Sequence, residues 1–138
     1  MRIAALDLGD VWIGIALADP LGITARPFKT IKLQDLTATI EQLMTNEQVS
    51  AIVVGDPQTM RGTASEQTVK VRTLVEALQK QFPALQWVLW DERLTSKQAA
   101  HIHKARDKKD KLQQHAVAAA LILRSYLDHL AWQKHKQN

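Results

Sequence analysis

Hydrophobic and polar positions change period along the 138-residue chain, and each change marks an element. Residues 2–8 are short, apolar and stopped by Gly9 and Asp10, which predicts a buried strand ending at or near Asp7. Residues 11–18 form a second β-type run, closed by Asp19, Pro20 and Gly22. A third strand is expected after Pro27, through Phe28 to Leu33. Three such runs joined by tight turns predict an antiparallel meander.

The period then becomes helical. Leu36, Ile40, Leu43 and Met44 predict a helix over 34–47. Ala51, Ile52, Val53 and Val54, ending in Gly55, are continuously apolar, as expected of a strand buried on both faces in a parallel sheet. Residues 56–64 read as a loop, and Val71, Leu74, Val75, Leu78 and Phe82 lie on one face of a helix over 65–82. Leu85 to Trp90 is a further buried strand, ending at Asp91 and Glu92.

Two helices are expected to close the chain. Thr95 or Ser96 is placed to cap the first and Asp110 the last, by accepting from free backbone N–H groups. Leu112, Ala116, Ala119, Leu123, Leu127 and Leu130 make the apolar stripe of the last helix, and residues 104–111 read as a charged connection. The order βββαβαβαα has no repeat and no dividing linker. It predicts one α/β domain over residues 1–138, a mixed sheet flanked by helices.

Composition agrees and narrows the class. The chain is 46% hydrophobic and 23% charged, which suits one globular domain. No apolar run reaches the roughly 18–20 residues of a membrane span, so no membrane partner is expected. Asp7 falls where a secretory signal would be apolar. The absence of cysteine excludes disulfide scaffolds, thiolate zinc sites and thiol nucleophiles, and a cytoplasmic protein is expected.

The net charge of +4 conceals an asymmetry. Residues 1–92 hold eight Lys and Arg against eleven Asp and Glu, and residues 93–138 hold ten against three. All five histidines lie in the second part. An acidic body with a basic end suits an anionic partner, nucleic acid being the commonest; a solvated helical surface is the competing reading.

Three predicted strands end in acids: Asp7, Asp56, and Asp91 with Glu92. Ligands of open α/β sheets gather at the carboxyl ends of strands. Asp7 lies in an apolar run, where an unpaired charge is costly and a divalent cation is a good partner. Two carboxylates from neighbouring strands begin a hard-metal site for Mg²⁺ or Mn²⁺, the ions suited to phosphoryl transfer. The competing reading makes Asp7 a turn residue before Gly9 and pairs Glu92 with Arg93.

Six segments stand in order: Ala5-Leu6-Asp7-Leu8-Gly9, Ile13-Gly14 through Asp19, Val53-Val54-Gly55-Asp56-Pro57, Met60-Arg61-Gly62-Thr63, Trp90-Asp91-Glu92-Arg93-Leu94-Thr95-Ser96, and Ala118 through Leu127. Together they resemble the YqgF/RuvX family over roughly residues 2–128. The resemblance implies an RNase H-like fold with a five-stranded mixed sheet. It also implies a metal-dependent nuclease, acting in maturation of the 5′ end of precursor 16S ribosomal RNA or in resolution of Holliday junctions. The family's active site uses an Asp on the first strand and a Glu after a later strand, which map onto Asp7 and Glu92.

The family's third acid, near the start of the last helix, maps onto His115. Asp110 is a poor substitute, since five helical residues displace it by about 7.5 Å along the axis and about 140° around it. A neutral imidazole completes an Asp7–Glu92–His115 set and moves preference toward Mn²⁺. The alternatives are a site that has lost its third ligand, leaving a noncatalytic RNA- or ribosome-associated module, and a histidine with no role.

Substrate contacts are expected from Arg93, Lys104, Arg106, Lys108, Lys109 and Lys111 to the phosphate backbone, with steep salt dependence. Thr59, Gly62 and Thr63 in the loop over 56–64 are placed to approach a phosphate. The family's basic pair after its Asp-x-Gly is Val11-Trp12 here; Trp12 either stacks on a base or covers core as an edge-strand aromatic. His101 and His103 read as surface positions, Trp87 and Trp90 as core. The expected substrate is structured RNA or branched DNA, bound by a monomer or homodimer. An actin-like ATPase also opens on Asp-Leu-Gly, but this chain is too short for two lobes.

Overall fold

A computed structural model describes residues 2–57, 65–94 and 108–137, with the side chains at 94, 108–110 and 137 outside the description. The elements are β1 (Arg2–Leu8), β2 (Trp12–Ala18), β3 (Ala25–Lys32), a 3₁₀ turn (Leu33–Asp35), α1 (Leu36–Asn46), β4 (Val49–Asp56), α2 (Glu66–Gln81), β5 (Gln86–Asp91), a second 3₁₀ turn (Glu92–Leu94) and α3 (Lys108–Gln137). The sheet order is β3-β2-β1-β4-β5. β1 pairs antiparallel with β2 and parallel with β4; β2–β3 is antiparallel and β4–β5 parallel. The expected mixed sheet is therefore present.

Alternation along the strands divides the core in two. Ala4, Leu6 and Leu8 face α1 and α2, together with Ile13, Ile15, Leu17, Ile52 and Val54. The helices answer with Leu36, Ile40, Leu43, Val71, Val75 and Leu78. On the opposite face Ala5, Ala16, Ala18 and Val53 meet Ala119, Ile122, Leu123 and Leu127 of α3. The small side chains on this second face let α3 lie close to the sheet. Each fully buried Leu, Ile or Val contributes about 1.5–3 kcal/mol over its exposed state.

Several boundaries differ from the expectation, each for a local reason. β3 starts at Ala25, ahead of Pro27, because it is an edge strand with a register shift opposite Ile15 and Ala16, where a missing N–H is tolerated. α2 opens on a reciprocal cap: Ser65 Oγ accepts from the Thr68 N–H, and Thr68 Oγ1 accepts from the Ser65 N–H. α3 begins at Lys108, so residues 108–111 are helix rather than connection and Asp110 lies inside the helix, not at its cap. The predicted helix capped by Thr95 or Ser96 lies outside the described residues, as do His101 and His103. Trp12 opens β2, which is internal, so it is not an edge-strand aromatic. Among the described residues no helix is long and apolar enough to cross a membrane.

Candidate active site

Asp7 belongs to the face that carries Ala5, the face turned toward α3. Its antiparallel neighbour is Gly14, and beyond Gly14 the row continues to Thr30. A methyl group on Gly14 would run into the backbone carbonyl of His115, and its distance to the Ala116 nitrogen would be 2.8 Å. Gly14 thus permits the contact that sets α3 down beside Asp7 at His115. Thr30 fixes the same stretch by donating from Oγ1 to the Leu112 carbonyl at 2.5 Å.

Glu92 reaches the site from the turn after β5. β4 lies between β1 and β5, and at the crossing it presents Gly55. A Cβ there would overlap Glu92 Oε1 and stand 2.7 Å from Ile122 Cδ1. The space a side chain would fill is occupied by the Glu92 carboxyl, which hydrogen-bonds to Asp7. Both residues keep part of their surface open to solvent.

Two carboxyl groups this close hold a proton between them. Glu92 is pushed up to about 7, first by burial, then by the negative charge of Asp7 and the hydrogen bond they share, with Asp56 and Asp91 adding. Burial likewise raises Asp7, against the hydrogen bond from Glu92 and the nearby His115, which lower it. The pair behaves as one titrating unit.

The flanking acids are settled differently. Asp56, at the end of β4, is 5% exposed and accepts from Arg72 Nε and Nη2 at 3.2 and 2.9 Å. Asp91 accepts from Arg93 Nε at 2.9 Å and from the Arg93 backbone N–H at 3.0 Å. The Arg93 guanidinium holds Asp91 below the usual carboxylate range. Arg93 is therefore ion-paired with Asp91 beside the site, and Glu92 turns inward to Asp7.

Asp7, Glu92 and His115 are brought to one end of the sheet. Among the described residues no three His, Asp or Glu side chains close round a common point as a metal group. The pair of acids itself suits a hard divalent ion: oxygen donors, half-buried, and unable both to ionise cheaply without a cation. Of the expected phosphate contacts, Lys111 is exposed in the first turns of α3, and Lys108 and Lys109 open the helix. Lys104, Arg106, Thr59, Gly62 and Thr63 lie outside the described residues. Trp87 and Trp90 pack against the two cores as expected, Trp90 donating to Ser125 Oγ at 3.0 Å and meeting Tyr126 edge-on at 5.3 Å.

Sequence reasoning missed Gly14 and Gly55 as parts of the site. Their signal was available as glycines inside strands, which mark close approach of another chain segment.

The family model described as RuvX: Holliday junction resolvase matches residues 1–129. The chain belongs to the RuvX family. A relative from Rubrobacter xylanophilus is 36% identical over 128 residues, 92% of each chain. One from Clostridium tetani is 41% identical over 138 residues, 93% of this chain and 96% of the relative. Both are named "Putative pre-16S rRNA nuclease". Among solved structures, T. thermophilus RuvC in complex with Holliday junction substrate is similar with a TM-score of 0.57 at 15% identity, over 94% of this chain and 96% of that one. That likeness shows the shared RNase H-like fold. With its membership of the RuvX family the chain is a nuclease, a hydrolase of phosphodiester bonds.

Proposed function

We propose that this RuvX-family chain is a divalent-metal-dependent endonuclease acting in the cytoplasm on structured RNA, in maturation of the 5′ end of precursor 16S ribosomal RNA. The observation that carries the reading is the Asp7–Glu92 carboxyl pair, held over Gly55 at the carboxyl ends of β1 and β5. The names of the relatives supply the substrate.

Asp7 and Glu92 would hold Mg²⁺ or Mn²⁺, with His115, set down opposite Gly14 beside Asp7, as the third group. The ion supplies activation of a water and neutralises charge at the phosphate and the leaving oxygen. Glu92 would give up the proton it shares with Asp7 for the pair to hold the cation. Arg72 and Arg93 keep Asp56 and Asp91 paired, so the negative field at the site stays centred on Asp7 and Glu92. Arg93, Lys108, Lys109 and Lys111, with Lys104, Arg106 and the loop residues Thr59, Gly62 and Thr63, are the proposed contacts to the phosphate backbone.

The test is cleavage of structured RNA and of a four-way DNA junction, in Mg²⁺ and in Mn²⁺, by wild type and Asp7→Asn. Metal-dependent RNA cleavage lost in Asp7→Asn is expected. Preferential cutting of the junction would transfer the substrate to branched DNA, the reading that the family description favours. RNA binding without cleavage in either metal would overturn the enzyme reading in favour of a binding module.

A further inference from the structure

Trp12 stands at the same end of the sheet as the carboxyl pair and is not used by the site as described. Alternation along β2 puts it on the face of Gly14, the face that carries Asp7 and α3. It lies two positions before Gly14 along the strand, and Gly14 is directly opposite Asp7. These spacings place the Trp12 and Asp7 Cα atoms about 8 Å apart. Trp12 is half-buried, with part of its surface facing water.

Its neighbour across the ladder is Lys32, whose ammonium lies 5.6 Å from the indole centroid. Lys32 is exposed at the end of an edge strand, on the same face as Thr30 and Trp12. α3 adds charge to the same end. From the Thr30–Leu112 bond and the Gly14–His115 contact the helix runs toward Leu127 and Ile3 at the far end of the sheet. Its first turns, with exposed Lys111, therefore overhang the end where Trp12 and Lys32 stand. A flat aromatic surface with an exposed cation over it, and Lys111 at the same end, is complementary to a nucleotide: stacking for the base and charge for the phosphate.

We propose that Trp12 and Lys32 form a nucleotide subsite for an unpaired residue of the RNA strand next to the scissile phosphate. The inference rests on the nuclease reading of the Asp7–Glu92 pair and names where its substrate leaves the site, over β2 and β3. In the free protein the Lys32 ammonium covers the ring. When the strand binds, the base takes the ring face and the ammonium swings on its four-carbon stem to the adjacent phosphate.

The experiment measures binding without metal, so that no cleavage intervenes, to an RNA hairpin with a single-stranded adenosine tail and to the same hairpin with an abasic tail. Wild type should prefer the adenosine tail, and Trp12→Ala should lose that preference by about 5- to 150-fold, the range of one stacked base. Trp12→Phe should keep most of it. Lys32→Gln should weaken both tails and reduce the salt slope by about 0.7, one single-strand phosphate contact. Equal binding of the two tails by wild type, or an unchanged preference in folded Trp12→Ala, would overturn the subsite. Should Trp12→Ala not fold by thermal melting, the wild-type comparison and the exposed Lys32→Gln variant decide. Because binding is read apart from cleavage, loss of the nuclease reading would leave the tail preference in place, and loss of the subsite would leave cleavage in place.

Discussion

Asp7 and Glu92 share a hydrogen bond between their carboxyl groups although β4 lies between the strands that position them. The bond spans β4 because Gly55 leaves its upper face bare there. Two acids from distant parts of the chain thus meet on a single missing side chain, and the proton they hold in common sets how the site responds to pH and to cations.

The first consequence is a pH-dependent stability of the metal-free protein. Glu92 titrates near 7 in the folded chain against an ordinary 4.5, and Asp7 is raised as well. A raised acid binds its proton more tightly when folded, so its contribution is complete below the unfolded value and is lost as pH rises through the folded one. The melting temperature should therefore fall between about pH 5 and pH 8 in EDTA. Glu92→Gln should flatten that fall, and Mg²⁺ or Mn²⁺ at pH 8 should raise the melting temperature of wild type more than that of the variant. A wild-type profile no steeper than that of Glu92→Gln would count against the shared proton.

The two site glycines should fail in different ways. A Cβ on Gly14 meets the backbone of α3 at His115, which cannot turn aside, whereas a Cβ on Gly55 meets the ends of the Glu92 and Ile122 side chains, which can. Gly14→Ala is expected to destabilise by about 1–3 kcal/mol, as overpacking does, and to lose activity with the displaced helix. Gly55→Ala should lose activity through Glu92 at a smaller cost in melting temperature. Melting curves and cleavage rates of the two variants, measured side by side, check the contrast.

Much of this was legible in the chain because it is written in local periods. The continuous run from Ala51 to Val54 announced a parallel strand, and the apolar runs announced acids at strand ends, from which the family resemblance singled out Asp7 and Glu92. What escaped is non-local. Pro27 argues against a strand unless the strand is an edge with a shifted register, which depends on what lies beside it. Asp110 has the right chemistry for a cap, yet α3 starts two residues earlier at Lys108. Gly14 and Gly55 looked like weak points in strands, since nothing nearby in sequence says that His115 or Glu92 will occupy the space.

The Asp56–Arg72 pair offers a test of the surrounding field. Asp56 raises Glu92 by its charge, and the Arg72 guanidinium beside it offsets that charge. Arg72→Met removes two charge-assisted hydrogen bonds, whose contribution to stability is reduced by solvent screening because Arg72 is exposed. Beyond the loss of stability, the acid limb of the pH–rate profile should move to higher pH, as Glu92 becomes harder to ionise. An unmoved limb would show that Asp56 does not act on the pair.

As the proposed third ligand, His115 is expected to set which ion the site prefers. It stands where the helix is pressed onto Gly14, which is the partner of Asp7 across the ladder. An imidazole among the donors suits Mn²⁺ better than Mg²⁺, whereas a third carboxylate suits the harder ion. His115→Asp should therefore raise the ratio of Mg²⁺-supported to Mn²⁺-supported cleavage, with binding of RNA in EDTA nearly unchanged. His115→Ala should lower cleavage in both ions without that reversal. If His115→Asp and His115→Ala lose activity equally in both ions, the third position is not a ligand and the site works through Asp7 and Glu92 with solvent completing the shell. The ratio is the informative quantity, because a purely structural role at the Gly14 contact would scale both rates together.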